Sequence, residues 1–293
     1  TSNEWLGFLD EVKVYNFALT AAQIKANYNA KASGDGASAV LGANTQQNLS
    51  NGLVGYWKMD ESSGTDSADS SGSGNNMTIK TSPTVISGKF GNTLSLNGST
   101  QYLCTNGGSG TTCTDDNDLD FGTSASFSVA GWVKTDDTGT GVFFGKRNNG
   151  DAGSAGWYLY VSGNDGVLYS TVSDGTNGAG ASYSGGSVNN NSWRHIAMTV
   201  DRTTNITNVY LDGVASPSTA STASVGTVSN AVAFTAGISG DANSAYALSG
   251  SVDETRLYNR ALSPAEVSQL YNFAPGPVGY WNFEEGSGTS AND

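Results

Sequence analysis

The chain has 293 residues and a formal charge of −13 at neutral pH, from 13 Lys and Arg against 26 Asp and Glu. That balance argues against nucleic acid as a partner, since a phosphate backbone needs clustered cations. No run approaches the ~18 apolar residues of a membrane span, which argues against membrane insertion. With 39 Gly and only 13% charged residues, the composition suits short strands and tight turns better than helices.

In chain order, Leu9–Asn29 ("LDEVKVYNFALTAAQIKANYN") reads as a strand, a turn and a short helix, with Thr20 and Gln23 in a capping-box arrangement. The same pattern returns at Val252–Asn272 ("VDETRLYNRALSPAEVSQLYN"), where 9 of 21 positions are identical. Likewise Leu53–Thr65 ("LVGYWKMDESSGT") returns at Pro277–Thr289 ("PVGYWNFEEGSGT"). Fixed internal similarity of this kind marks a repeat architecture. The expected organisation is therefore the tail of one repeat at 1–29, an Ala/Gly/Ser/Asn-rich linker at 30–51, and a complete domain at 52–272. A short proline-stiffened linker at 273–276 and the head of a following repeat at 277–293 complete it, as in a window cut from a longer array.

Inside the complete domain, Cys104 and Cys113 bracket "CTNGGSGTTC". The spacing suits a disulfide closing a Gly-rich loop, with two free thiols as the alternative; no His lies near enough to make a zinc site. A disulfide would favour an oxidising compartment. The acidic residues Asp115, Asp116, Asp118 and Asp120 that follow read as a solvated turn. "SFSVAGWVK" (Ser126–Lys134) then alternates, with Phe127, Val129 and Val133 on one face. "GTGVFFGKRNNG" (Gly139–Gly150) has no following helix and reads as a loop on the rim. "GWYLYVSG" sets Trp157, Leu159 and Val161 against Tyr158 and Tyr160. "SWRHIAMTVD" sets Ile196, Met198 and Val200 against Trp193, His195 and Ala197. "TNVYLDG" and "AVAFTAGIS" continue the pattern, with a hairpin turn at Asp212–Gly213. Ser263, Pro264 and Glu266 start a closing helix. Many alternating strands at short spacing predict an all-β sandwich of two antiparallel sheets.

The order of the segments beginning "GLVGYWKMDESSGT", "GKFGNTLSLNGSTQYL", "SFSVAGWVK", "SWRHIAMTVD", "NVYLDG" and "SGSVDETRLYNRALSPAEV" resembles the LamG-like jelly-roll domains of the concanavalin A-like lectin/glucanase superfamily. The resemblance covers Gly52–Tyr271 and both terminal segments. It implies a jelly roll whose first and last strands lie side by side.

Catalysis is not expected. Retaining glycanases of the superfamily carry a Glu-x-Asp-x-x-Glu strand, which is absent here. Such chemistry needs two carboxylates about 5.5 Å apart on one face. Asp60–Glu61, Asp253–Glu254 and Glu284–Glu285 are adjacent pairs, which a regular strand points to opposite sides. His195, the single histidine, sits inside a strand and reads as structural. No nucleophile elbow, metalloprotease His pair or phosphate loop is present.

The resemblance also implies a calcium ion tying the first strand to the last. By position its ligands would be Asp60, the backbone near Gly98, and Asp253; Asp69 reads more simply as the start of an Asx turn. The family further implies glycan recognition, for which Tyr158, Tyr160, Tyr169 and Trp193 would lie on an outer face. The expected function is a non-catalytic extracellular carbohydrate-binding or adhesion module of a repetitive surface protein, with a glycan or another surface protein as partner. The alternative is a structural repeat of a cell-surface fibre or filament, self-associating through the terminal segments.

Overall fold

The computed structural model describes residues 5–10, 12–15, 18–19, 24, 49–105, 113–115, 119–148, 153–273, 279–281, 283 and 290. In chain order the strands are β1 (Val12–Val14), β2 (Leu53–Trp57), β3 (Asp66–Ser67), β4 (Met77–Lys80), β5 (Thr84–Ser87), β6 (Asn92–Asn97) and β7 (Tyr102–Thr105). Next come β8 (Phe127–Lys134), β9 (Gly141–Lys146), β10 (Ala155–Val161), β11 (Leu168–Asp174), β12 (Gly178–Ala179), β13 (Ser182–Tyr183) and β14 (Arg194–Asp201). The last are β15 (Ile206–Leu211), β16 (Val214–Ala215), β17 (Ala220–Ser221), β18 (Thr235–Ala236), β19 (Ser249–Tyr258) and, after helix α1 (Pro264–Asn272), β20 (Gly279–Trp281).

The chain divides into two units, Gln47–Asn272 and a second made of Thr1–Gln46 with Phe273–Asp293. The larger is a sandwich. One sheet runs β12-β11-β10-β9-β18-β7-β4-β3, with β13 beside β11. The other runs β16-β15-β14-β8-β19-β6-β5, with β2 beside β19 and β17 beside β15. Alternation explains why these segments are strands. Val129 and Val133 of β8, Ile196, Met198 and Val200 of β14, and Trp157, Leu159 and Val161 of β10 all point into one fully buried core. Aromatic rings fill its middle: Trp57 stacks on Phe234 at 5.2 Å and Phe121 on Phe127 at 4.5 Å. Each such side chain contributes roughly 1.5–3 kcal/mol when fully buried.

A second, smaller cluster lies on the outside of the β8–β19 sheet. There α1 buries Val267 and Leu270 against Ala130, Ala197, Tyr210 and Tyr258. Its start is capped as the sequence indicated: Ser263 Oγ accepts from the Glu266 amide at 3.3 Å, and Glu266 Oε2 accepts from the Ser263 amide at 2.8 Å. Leu49 packs into this cluster, within the compact unit Gln47–Asn272.

The segment expected to be a rim loop is instead an interior strand. All six residues of β9 are buried, and it lies between β10 and β18. Gly145 permits this, because a Cβ there would press on the Tyr158 Cβ across the strands. Cys104 and Cys113 form a disulfide with a Cα–Cα distance of 5.4 Å, a loop closure worth about 2–3 kcal/mol in the chain-entropy model.

In the smaller unit, β1 and β20 pair antiparallel, with Val12 opposite Trp281, Lys13 opposite Tyr280 and Val14 opposite Gly279. Under the internal alignment these positions match Thr255–Trp57, Arg256–Tyr56 and Leu257–Gly55, which are the partners across the β19–β2 seam. The two pairings share one register. The predicted helix that follows Thr20 and most of the 30–51 linker lie outside the described residues.

Candidate functional site

β19 pairs with β8 along one edge, while its other edge is shared by β6 up to Val252 and by β2 from Thr255. At the handover the strand bulges, and Glu254 takes a left-handed φ of +53°. The extra residue defeats simple alternation. Adjacency therefore does not separate Asp253 from Glu254 as a regular strand would: both lie buried, and Glu254 bears electrostatically on Asp253.

Each carboxylate has its own partners. Glu254 Oε2 accepts from Tyr56 Oη at 2.6 Å and pairs with the Arg256 guanidinium at 2.8 Å, and that guanidinium lies 4.0 Å from the Tyr56 ring centre. Burial, with Glu254 beside it, pushes the Tyr56 hydroxyl well above the ordinary tyrosine range. Asp253 Oδ2 accepts from the Lys89 amide at 2.6 Å and the Phe90 amide at 3.2 Å. Asp60 Oδ1 accepts from the Asn92 amide at 2.8 Å. Asp60, just beyond the end of β2, and Asp253 of β19 thus grip one turn, residues 88–92. Glycines make room for them: a Cβ at Gly91 would strike the Asp60 carboxylate, and one at Gly88 the Asp253 carboxylate. Burial, then Glu254 and Asp60, raises the Asp253 carboxyl to about 8, and its Oδ1 is buried with no hydrogen-bond partner among the described residues.

Gly98 is not part of this arrangement. It follows the far end of β6, where its amide donates to Leu248 O and it abuts Ser249. The structure brings together Asp60 and Asp253 only, and the described residues hold no group of three or more His, Cys, Asp or Glu suited to a metal. Asp69 organises a turn as expected, accepting from the Ser71 and Asn75 amides; it also accepts from the Tyr56 amide at 2.9 Å, closing the free edge of β2.

The outer face of the other sheet differs. Tyr158 and Tyr160 of β10 lie 5.0 Å apart, and Tyr160 stacks on Tyr169 of β11 at 5.5 Å and 27°. Tyr158 is nearly covered, with Arg147 NH1 donating to its hydroxyl at 3.1 Å, whereas Tyr160 and Tyr169 are partly exposed. Tyr169 Oη donates to Asp165 Oδ2 at 2.9 Å, which raises the Tyr169 hydroxyl above its usual range. Burial likewise raises that of Tyr160. Gly145 sits beside Tyr158, and Gly156 and Gly178 flank Ser173. The space beside Gly145 and Gly156 is taken up by Tyr158, Asn230 and Arg147, so the rings of Tyr160 and Tyr169 are what this face presents. Trp193 precedes β14 in the opposite sheet and is not on this face.

A family model described as the concanavalin A-like lectin/glucanase superfamily matches residues 97–268. The chain belongs to that superfamily. Among solved structures, the binding domain of Paraclostridial Mosquitocidal Protein 1 aligns with a TM-score of 0.58 at 20% identity, over 76% of this chain and 52% of the other. The Botulinum neurotoxin serotype D binding domain aligns at 0.57 and 12% identity, over 78% and 52%. Domain 4 of AbnA, an extracellular GH43 arabinanase from Geobacillus stearothermophilus solved with arabinotriose, aligns at 0.50 and 24% identity, over 75% and 98%. The chain thus spans about half the length of the toxin binding domains it matches. No curated protein sequence matches it. No described helix is long and apolar enough to cross a membrane.

In this superfamily member the histidine is structural in its surroundings. His195 is buried against Trp132 at 5.4 Å and Tyr271 at 6.1 Å. Arg256 and Lys89 face it, Asp253 lies beyond Trp132 in the next strand, and Asp212 Oδ1 accepts from its amide. Burial, with Arg256 and Lys89, pushes the imidazole down to about 3. A group depressed in the folded state gives stability that is complete above its unfolded pKa of roughly 6.5 and is lost as pH falls toward the folded value, at up to about 1.4 kcal/mol per pH unit. Thermal melts between pH 7 and pH 3.5 should therefore show a shallower acid decline for His195→Gln than for the parent. Equal slopes would mean that His195 is not held neutral.

Proposed function

We propose that the chain is a non-catalytic, extracellular carbohydrate-binding module whose ligand lies on the Tyr158–Tyr160–Tyr169 face. The observation that carries this reading is the stacked pair of partly exposed rings of Tyr160 and Tyr169 on the outer face of the sheet. Aromatic rings offer apolar faces to the C–H side of a sugar, and polar edge groups set its orientation. Asp165 and Thr171 supply such groups beside the rings. AbnA domain 4 was solved with arabinotriose, and a Botulinum neurotoxin DC binding domain with SialylT; both share this fold, which supports a sugar in the same general role. A lack of catalysis is supported by the condition of the buried carboxylates. Glu254 is neutralised by Arg256, and Asp253 is turned into the 88–92 turn rather than toward a cleft.

Calcium fits the remaining group. The unpartnered Oδ1 of Asp253 and the converging Asp60 would supply two oxygens, and backbone carbonyls and water would complete the six to eight that the ion takes. In that role the ion would tie the 88–92 turn to β19.

A second reading is favoured by the β1–β20 pairing. Its register equals that of the β19–β2 seam, as it would if the terminal segments were the closing and opening strands of neighbouring repeats in a surface fibre.

A glycan array that includes arabinotriose and sialylated glycans tests the first reading. We expect binding that falls about tenfold or more in Tyr160→Ala and Tyr169→Ala, equivalent to a loss of 1.4 kcal/mol or more, with unchanged circular dichroism. No bound glycan, or binding indifferent to both substitutions, would refute it. For calcium, a chelated sample should melt several degrees lower than one in millimolar calcium, and Asp253→Asn should abolish the difference; identical melting of the parent with and without the ion would dismiss the site.

A further inference from the structure

Lys146 ends β9, and its side chain is only 1% exposed. Its Nζ lies 2.6 Å from Asp115 Oδ1 and 2.9 Å from Asp120 Oδ1, whose side chains are 22% and 17% exposed. Asn230 fixes the lysine from the other side. Its backbone carbonyl accepts from Nζ at 3.0 Å and its Oδ1 lies 3.4 Å from Nζ, while its Nδ2 donates to the Lys146 carbonyl at 2.8 Å. The opposing strand position is the core residue Trp157. Gly156 lets the chain pass here, because a Cβ at that position would strike the Lys146 carbonyl.

The residues expected to form a solvated acidic turn and a rim cation thus include a buried primary amine held between two carboxylates. As an ion pair this is a poor source of stability, since desolvation of a buried ammonium offsets most of its attraction to the acids. As a reaction geometry it is complete: a nucleophile, an electrophilic carboxyl at contact distance and a second carboxyl to move the proton, all held in place.

We propose that Lys146 and Asp115 condense to form an intramolecular amide, with Asp120 as the proton carrier. In the pair, the ammonium passes one proton to the Asp115 carboxylate. The neutral Nζ then attacks Asp115 Cγ, forming the C–N bond. Asp120 takes a proton from the nitrogen and delivers it to the departing hydroxyl, so the C–O bond breaks and water leaves. Ammonium and carboxylate become amide and water; no oxidant, reductant or further reactant enters, and Asp120 ends as it began.

The bond would serve the segment that carries it. Cys113 joins that segment to β7 through Cys104, and Thr114 holds it with a backbone bond to Thr105 at 2.9 Å. An amide two residues beyond Cys113 would join it to β9 as well. β7 and β9 are the two neighbours of β18, so the two covalent ties would brace three strands against pulling or proteolysis.

Intact mass of the purified full chain, measured after reduction of the disulfide, tests this directly. The expected mass is the sequence mass less one water. After digestion trypsin should fail to cleave at Lys146, and a branched peptide should join Lys146 to Asp115. Lys146→Arg should restore the full mass, and Asp120→Asn should leave a majority of chains unlinked. A sequence-matching mass with normal cleavage after Lys146 would overturn the proposal. So would a water loss that maps to a cyclic imide at Asp35–Gly36, Asp165–Gly166, Asp174–Gly175 or Asp212–Gly213, or a branch that ends on Asp120. The parent measurement needs no variant to fold.

Discussion

The fold depends on one strand serving three neighbours. β19 hydrogen-bonds to β8 on one edge and divides its other edge between β6 and β2. The partners across the β2–β19 seam are about as far apart in sequence as the unit allows, with a separation of 198 positions from Tyr56 to Glu254. Such a pairing repays its loop-closure entropy only once the intervening strands are in place. The seam is therefore the contact that joins the two ends of the sandwich, and its side chains are built to hold one register. Tyr56, Glu254 and Arg256 interlock there as a hydroxyl, a carboxylate and a guanidinium over a ring. Replacing such a buried group with apolar residues is often neutral for stability, so its use is in fixing which residue meets which.

The bulge at Glu254 has a second effect. A regular strand would split neighbouring acids between core and solvent. The bulge instead keeps Asp253, Glu254 and Arg256 together on one side, where α1 and the 88–92 turn close over the sheet. That outer face carries charge but little access. The outer face of the other sheet carries the partly exposed, stacked Tyr160 and Tyr169. One face is closed over by α1 and the 88–92 turn, and the other leaves the Tyr160–Tyr169 pair partly open to solvent.

Much of the sandwich was legible because its signal is periodic. Phe127, Val129 and Val133, or Ile196, Met198 and Val200, announce a buried face by spacing alone, and their positions in the core match it. The Ser263–Glu266 cap and the Cys104–Cys113 closure were legible because each rests on a short local spacing. β9 was not. Val142, Phe143 and Phe144 are all buried in a row, and the pairing with β10 shifts register between Leu159 and Tyr160, so no alternation marks the strand. Lys146 and Arg147 at its end further resemble a solvated loop, although Lys146 is buried against acids far away in the chain. The bulge at Asp253–Glu254 has no sequence mark either, since a left-handed Glu is a demand of the tertiary handover from β6 to β2. Gly98 belonged to the expected ion site by family position alone, and the length of β6 carries it away. The tyrosine face was legible as alternation in β10, but the stacking of Tyr160 on Tyr169 depends on the β10–β11 register.

Native-state hydrogen exchange, resolved amide by amide, tests most directly whether the β2–β19 seam holds the sandwich together. If it does, the hydrogen-bonded amides of β2 exchange with the same free energy and denaturant dependence as those of β8 and β14, because they open only when the whole unit unfolds. If β2 exchanges through a low-energy local opening while β8, β14 and β19 stay protected, the first strand is an accessory edge and the seam is not what closes the fold.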